Sequence, residues 1–330
     1  MLASLALTAL SVLLSLVLLG RRLRSVRRHN AAASAMSWVE PVALGLLDGD
    51  PPVGVDPELE PALAKSLSRL APMLTGDTRA AIAEYFESSG AIDRAGRRLA
   101  DPRGHVRAAT AAQLGDMCSE QAVLPLLQAL HDRDQDVRLA AARSLGRLRT
   151  KRAASPLLHS LVHRHVPSAV ATGALLAIGT ATLPGIRALL AHSQPSARAD
   201  GVELLGLLGS PADSLLVTER LADEHAPVRT RACQALRRLG ASDAKSAVET
   251  ALTDRDPSVR QAAAEALGQL GDRTSSAGLI HAAQTDLPDV ARSAAESLAR
   301  LAPGLAGRIA GSRNASPHLR RGVAPAAAEA

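Results

Sequence analysis

Histidines at positions 159, 163 and 165 are the residues whose types and spacing come nearest to a chemical site. His159 and His163 are four residues apart, the spacing that puts two metal ligands on one helical turn. No carboxylate or cysteine nearby completes a ligand set, and the third histidine falls in a predicted turn. We therefore expect surface histidines and no metal site.

Other candidate spacings are weaker. The segment DRDQD at 132–136 resembles the start of a calcium loop, but it lacks the glycine at position six and the glutamate at position twelve. Cys118 and Cys233 are more than a hundred residues apart, which favours small, reduced, buried side chains. There is no glycine-rich phosphate loop, nucleophile elbow or carboxylate pair. The sequence predicts no catalytic residue, no cofactor and no enzymatic activity.

These residues lie in a repeated sequence. One phrase recurs seven times between residues 101 and 301, and its clearest copy, at 252–271, is LTDRDPSVRQAAAEALGQLG. The valine-equivalent positions are Val106, Val137, Val170, Ala197, Val228, Val259 and Val290. They are 31, 33, 27, 31, 31 and 31 residues apart, a period typical of stacked repeats.

Each repeat is predicted to be a pair of helices. In residues 130–161, Val137, Ala141 and Leu145 share one helical face, and a second apolar run follows at 156–161. No run alternates as a half-buried strand does. The prediction is an all-α fold, an α-solenoid preceded by one N-terminal transmembrane helix.

Helix ends are marked in the clearest repeats. Asp256 followed by Pro257 predicts an N-cap and a first turn. Gly240 and Gly271 follow the last leucine of their helices, and we expect both to form left-handed caps.

The pattern DxDxxVRxxAAxALGxLG, followed by a second helix ending in leucine, resembles the HEAT-repeat family, in the short bacterial form of phycobilisome lyases. The resemblance covers about residues 99–301. It implies a right-handed superhelix with second helices on the concave side, and an Asp–Arg ladder of structural rather than functional residues. The residues matching the ladder are Asp101/Arg107, Asp132/Arg138, Asp223/Arg229 and Asp254/Arg260. HEAT-type iron hydroxylases use repeated His-Glu pairs, and no His-Glu dipeptide occurs here, which excludes that activity.

The ladder is interrupted in the third and fourth repeats. His165 and His192 stand at its acidic position, and Ala171 replaces the arginine of the third repeat. Because the rotation between repeats sets curvature, we expect a local change of curvature over residues 161–209, with a binding notch as the alternative.

The charge is concentrated at the ends of the chain. The net charge is +6, but Arg21, Arg22, Arg24, Arg27 and Arg28 and the arginines beyond residue 304 supply more than that, so residues 38–303 are slightly negative. Only three aromatic residues, Trp38, Tyr85 and Phe86, occur. Both observations argue against nucleic acid as a partner.

Residues 1–20 are apolar and uncharged, long enough to cross a bilayer, and the basic segment follows them. This order favours an uncleaved single-pass anchor in the cell membrane, with the N-terminus outside and the repeats cytoplasmic. A cleaved signal peptide, giving an extracytoplasmic adaptor, is the alternative. The predicted organisation is 1–20 transmembrane anchor, 21–37 basic juxtamembrane segment, 38–62 proline-rich spacer, 63–310 solenoid (its residues 63–100 a degenerate cap, its clear repeats 99–301) and 311–330 disordered tail.

One position per repeat forms a row along the second helices. The row consists of Gln128, His159, Ala188, Glu219, Thr250 and His281, with Arg152, Arg187, Lys245 and Glu249 beside it. We expect this face to dock partner proteins, including a membrane-associated enzyme or complex, so that the chain acts as a membrane-anchored cytoplasmic scaffold. A subunit of the chromophore lyase or isomerase type is the alternative that the repeat subtype suggests.

Overall fold

The computed structural model describes residues 76–313 and 315–323, together with the single positions Gly45, Leu63 and Ser66. Within these residues all regular structure is α-helix or 3-10 helix, and no strand occurs. This confirms the predicted all-α repeat architecture. The chain divides into two compact parts, one ending at Leu148 and the other beginning at Arg149.

The first part contains five described helices: α1 (Gly76–Ser88), α2 (Ala91–Arg98), α3 (Gly104–Asp116), α4 (Val123–Ala129) and α5 (Gln135–Leu148). Helix α3 packs along α5, and α2 packs against α3. Phe86 and Tyr85, the two aromatic residues of the predicted cap, meet edge to face with ring centres 5.1 Å apart, and both are buried. That they close the end of the solenoid stays a prediction.

The second part continues the alternation of a longer first helix and a shorter second helix. Its helices are α6 (Ala154–Val162), α7 (Ser168–Ile178), α8 (Leu183–Leu189), α9 (Pro195–Leu208), α10 (Ser214–Thr218), α11 (Ala226–Leu239), α12 (Lys245–Ala251), α13 (Pro257–Leu270), α14 (Ser276–Thr285), α15 (Pro288–Leu301), α16 (Pro303–Ala310) and α17 (Pro317–Val323). First helices α9, α11, α13 and α15 stack on one another in that order.

Small residues allow the first helices to approach closely. A Cβ on Gly206 of α9 would lie 2.7 Å from both the Cα and the Cβ of Ala235 on α11. A Cβ on Gly268 of α13 would lie 2.6 Å from the Ser297 hydroxyl of α15. The glycine that follows the buried leucine, Leu205 in α9 and Leu267 in α13, thus marks a crossing point where a side chain would hold two helices apart.

A 3-10 turn precedes most second helices, and the sequence shows why. Ser119, Thr150 and Asp272 each accept a hydrogen bond from the backbone N–H two residues later, at 3.0, 3.3 and 2.8 Å. Such side-chain caps begin the 3-10 turns at Glu120, Lys151 and Arg273. The short cap fixes where the chain reverses between the two helices of a repeat.

Two of the three predicted helix ends are confirmed. The carboxylate of Asp256 accepts a hydrogen bond from the N–H of Ser258 at 2.9 Å, and Gly240 has the left-handed φ of 66°. The prediction for Gly271 is wrong, since its φ is −75° and its ψ 169°. The chain leaves α13 in an extended conformation there because Asp272 caps the next 3-10 turn directly.

The C-terminal region is more ordered than the predicted disordered tail of residues 311–330. Residues 317–323 form α17, which packs on α15 with Leu319 and Val323 buried. Gly322 permits this contact, because a Cβ there would lie 2.7 Å from the Cβ of Ala295. A pair of apolar residues therefore suffices to dock this short helix.

One segment within the described residues, Ser168–Leu189, is long and apolar enough to cross a membrane. It comprises α7, the 3-10 turn Gly179–Thr182 and α8. Gly179, with φ 82°, ends α7, and the two helices pack against α6 and α9 respectively. The segment is thus the two helices of a repeat, and its composition alone is weak support for a membrane span.

The predicted anchor at 1–20, the basic segment at 21–37 with its five arginines, and the spacer at 38–62 lie outside the described residues, apart from Gly45. Their assignment rests on the sequence.

Candidate docking surface

An arginine–aspartate ladder joins consecutive repeats. Each rung has two hydrogen bonds of 2.6–2.9 Å from a guanidinium to a carboxylate. The rungs are Arg107–Asp132, Arg198–Asp223, Arg229–Asp254 and Arg260–Asp286. Both side chains of a rung are largely shielded from solvent, so the planar fork is held in one geometry.

The ladder runs from each repeat to the next, because each arginine pairs with the aspartate of the following repeat. Arg229 donates to the backbone carbonyls of Asp223 and Glu224 in its own repeat, at 2.9 and 3.1 Å, and sends its fork to the carboxylate of Asp254 in the next repeat. The same arrangement holds at Arg107. Each arginine therefore ties the turn of its own repeat to the turn of the following one.

The rungs keep their aspartates ionised. Hydrogen bonds from Arg107 hold the pKa of the Asp132 carboxyl below its usual value, and those from Arg260 do the same for the pKa of Asp286. Burial acts in the opposite direction but is outweighed. The pairs are fixed structural charges, and nothing in their surroundings suits them to proton transfer.

The predicted interruption lies between α7 and α9. Ala171 is buried and offers no guanidinium, so this junction has no rung. The ladder resumes with Arg198, which the repeated pattern did not indicate. At the junction, the buried carboxylate of Asp200 pairs instead with Arg164 at 2.9 Å and with Arg231 at 3.0 Å.

A second set of contacts joins consecutive repeats near the start of their second helices. Arg187 pairs with the buried Asp213 at 2.8 Å, and Lys245 pairs with Asp272 at 2.8 Å. Glu249 accepts a hydrogen bond from the Ser275 hydroxyl at 2.6 Å. Three of the residues expected to bind partners, Arg187, Lys245 and Glu249, therefore hold neighbouring repeats together.

The row along the second helices is open to solvent at every position. Gln128, His159, Ala188, Glu219, Thr250 and His281 are all exposed, as is Arg152. Gln128 lies in the first part and the others in the second. In the second part the row is a solvent-facing strip of mixed polarity, beside which Arg187, Lys245 and Glu249 are already paired with the next repeat.

Exposed leucines on second helices are the functional candidates that the sequence analysis missed. Leu124 on α4 is 57% exposed, and Leu215 and Leu216 on α10 are 69% and 37% exposed. Val217, beside the latter pair, is fully buried. Helical periodicity could have identified them, because these leucines lie outside the helix face on which the buried residues lie.

The three histidines cluster at the end of α6. Ring centres of His159 and His163 are 4.1 Å apart, and that of His165 lies 5.7 and 5.8 Å from them. Among the described residues, no group of three or more His, Cys, Asp or Glu side chains could hold a metal ion. Cys233 is buried, and this burial raises the pKa of its thiol to about 12, so it is not a nucleophile at neutral pH.

A shallow cavity of about 330 Å³ adjoins α11. It is lined by Ala226, Pro227, Thr230, Arg231, Gln234, Asp256 and Ser258. The guanidinium of Arg231 is already paired with Asp200 at 3.0 Å and with Glu203 at 2.6 Å. The cavity therefore offers no uncompensated positive charge to an anionic ligand.

Comparison with known proteins bears on the fold. The HEAT-repeat family matches residues 92–179 and 214–299, just over half of the chain. No curated protein matches the sequence.

Three solved structures resemble the chain at low identity. Human deoxyhypusine hydroxylase in complex with glycerol is 21% identical, with a TM-score of 0.33, over 82% of this chain and 98% of that one. An engineered protein is 18% identical, with a TM-score of 0.41, over 87% of each chain. The CpcE–CpcF complex of phycocyanin lyase from Nostoc sp. PCC7120 is 20% identical, with a TM-score of 0.28, over 84% of this chain and 96% of that one. At such identities and scores no activity, substrate or partner carries over.

Proposed function

Because this chain belongs to the HEAT-repeat family, we propose that it is a membrane-anchored cytoplasmic scaffold that docks partner proteins through the exposed side of its second helices. The observation that carries the proposal is the exposure of Leu215 and Leu216 on α10, beside ionic side chains that are already paired within the array. The proposal requires no catalytic activity.

The physical argument concerns what a partner gains. Covering a leucine side chain removes apolar surface from water and contributes about 1.5–3 kcal/mol when burial is complete. Leu215 and Leu216 are consecutive exposed residues of the short helix α10, so one docked protein can contact both. Arg187 donates a hydrogen bond to Asp213. A protein that docks there therefore avoids the desolvation cost of burying an unpaired charge.

Membrane attachment is argued from the sequence. The apolar residues 1–20, followed by five arginines, fit a single-pass anchor whose positive flank stays in the cytoplasm. An anchored array shares the bilayer surface with membrane-associated proteins, which raises their effective concentration at the array. We therefore assign the partner to that class, an enzyme or complex associated with the same membrane.

The docking proposal is tested by replacing both leucines of α10 with serine. Proximity labelling from the C-terminus in cells should show a set of membrane-associated proteins that L215S/L216S labels several-fold less than the parent chain does. Leu207→Ser is the matched control, because Leu207 is 43% exposed but lies on the first helix α9. If the parent chain and the double variant label the same proteins equally, the second-helix surface is not the docking site.

The membrane proposal has its own test. A reporter fused to the C-terminus should report a cytoplasmic location in the parent chain. Neutralising Arg21, Arg22, Arg24, Arg27 and Arg28 should produce mixed orientations, since these charges set the topology. Unchanged orientation after neutralisation, or a reporter active only outside the cytoplasm, would contradict it.

A further inference from the structure

The C-terminal end of the second part carries a concentration of positive charge. Residues 297–323 contain five arginines and no aspartate or glutamate. Four of these arginines are exposed, and within the described part of the chain none of the four pairs with a carboxylate. These terminal arginines are Arg308, Arg313, Arg320 and Arg321.

A backbone contact draws the terminal arginines together. The Nη2 group of Arg320, on α17, donates to the carbonyls of Ser312 and Arg313 at 3.3 and 3.4 Å. The guanidinium of Arg320 therefore lies beside the chain that leads from α16 to α17, where Arg313 is also exposed. Like charges held near each other repel, and an anion beside them relieves the repulsion.

The acids of the neighbouring helix are already engaged. Asp289 and Glu296, the two acids of α15, pair with Arg292 at 3.1 and 3.9 Å. Elsewhere in the second part, the ladder arginines Arg229 and Arg260 each hold a carboxylate of the next repeat. The terminal arginines have no such ionic partner, so a carboxylate from outside the fold can pair with them.

Apolar surface lies beside this charge. Leu305 and Ile309 are one helical turn apart on α16, and both are partly exposed. Arg308 lies three residues after Leu305, close to it on the helix surface. A partner that suits this end of the fold therefore carries carboxylates interspersed with apolar residues.

One segment of the chain itself has that composition. The proline-rich spacer, residues 38–62, contains six acidic residues and no basic one. Apolar residues stand between the acids, as in VGVDPELEP at 53–61. The spacer and the terminal arginines both follow the apolar residues 1–20, so a single-pass anchor there would leave both on the same side of the bilayer. The six acids are Glu40, Asp48, Asp50, Asp56, Glu58 and Glu60.

From this complementarity we infer that the terminal arginines bind the proline-rich spacer of a second copy of this chain. In a repeat array each unit contacts only its neighbours, and all seven repeats separate the spacer from the terminal arginines in sequence. We therefore place the contact between two copies and not within one. Because the two surfaces differ, the contact is head-to-tail and successive copies can join into an open row. It involves neither the leucines of α10 nor the partner proteins of the docking proposal.

The test follows self-association of the full-length chain by sedimentation in mild detergent at low salt. The arginine variant R308Q/R313Q/R321Q keeps Arg320, whose guanidinium holds the backbone. Each exposed ion pair contributes about two- to fivefold to affinity, so this variant should self-associate roughly tenfold more weakly. The matched control R152Q/R238Q/R273Q removes the same charge from exposed arginines elsewhere in the second part and should associate as the parent does.

A second variant identifies the source of the acidic segment. The spacer variant replaces the six acids with the corresponding amides, and it too should self-associate weakly. Mixed together, the two variants should associate, because the spacer variant supplies the arginines and the arginine variant supplies the spacer. The mixture should stop at pairs, since each variant keeps only one of the two surfaces. If the mixture does not associate, the contact is not between the spacer and the arginines of two copies.

Measurements on the unsubstituted chain cover the case in which a variant misfolds. A free peptide of residues 38–62 should compete with self-association, and the same peptide with amides in place of its acids should not. Added salt should weaken the association, because the charges are exposed. Three results would overturn the inference: no salt-sensitive association, an equal loss in the matched control, or full association of the arginine variant. The last would assign the terminal arginines to another anionic surface, such as phospholipid headgroups.

Discussion

Replacing Arg229 with leucine is the sharpest test of how the repeats are joined. The change removes two hydrogen bonds of 2.7 Å to Asp254 and two more to the carbonyls of Asp223 and Glu224. The side chains of Arg229 and Asp254 are only 6% and 13% exposed, so water restores little of what is lost. The carboxylate of Asp254 keeps the N–H of Asp256, at 2.8 Å, as a hydrogen-bond donor.

The expected cost follows from this geometry. Removing one partner of a buried ion pair typically costs about 3–5 kcal/mol, and partial access of solvent to Asp254 brings our expectation to about 2–3 kcal/mol. The double variant R229L/D254L should be less destabilised than the sum of its single changes, because no carboxylate is then left without its guanidinium. The coupling should be about 1–2 kcal/mol.

Urea unfolding followed by circular dichroism measures the free-energy change. Hydrogen exchange at α13 locates it, because stability in a repeat array is a sum of neighbour contacts. The control is Arg238→Leu, an exposed arginine on the same helix, which should change stability by no more than about 0.5 kcal/mol. If Arg229→Leu costs no more than this control, the rungs do not join the repeats as argued.

Three further outcomes are expected. The pKa of Asp286 is held low by hydrogen bonds from Arg260, so the folded pKa lies below the unfolded value of about 3.9. Its stabilising contribution is complete at neutral pH and is lost as pH falls below about 4, and Asp286→Asn should flatten this part of a stability–pH curve. Gly206→Ala should destabilise the fold by about 1–3 kcal/mol in thermal or urea unfolding, since the added Cβ would lie 2.7 Å from Ala235, and a cost near zero would contradict the close crossing. Cys233, buried and with its pKa raised to about 12, should resist alkylation at neutral pH until urea unfolds α11, whereas rapid labelling of the native chain would show that this helix opens.

The helices and their order were predictable because each repeat carries its own apolar face. Val137, Ala141 and Leu145 are all buried, as their spacing predicted. The residues of the ladder were predictable from the repeated pattern, but the spacing alone does not choose between the two aspartates near each arginine, since Arg107 has one six residues before it and another 25 residues after it. Only the stacking of repeats decides that the fork goes to Asp132.

The candidate sites were predictable in part. The row of second-helix positions is exposed as the period implied, but the pairing of Lys245 with Asp272 depends on where the next 3-10 turn lies. The position of His165 depends on the left-handed backbone conformation of Arg164, which cannot be predicted from the residue type. Helix α17 is seven residues long and carries too few apolar residues to show a period.

The junction between α7 and α9 is held by a more exposed arginine than those of the ladder rungs that follow it. Elsewhere in the second part the guanidiniums of the ladder are shielded, and added salt screens such pairs little. At this junction Arg164 is 42% exposed while it holds Asp200, so dissolved ions compete with the contact directly. We therefore expect added salt to weaken the Arg164–Asp200 pair more than the shielded rungs, at a junction where no rung of the ladder backs it up.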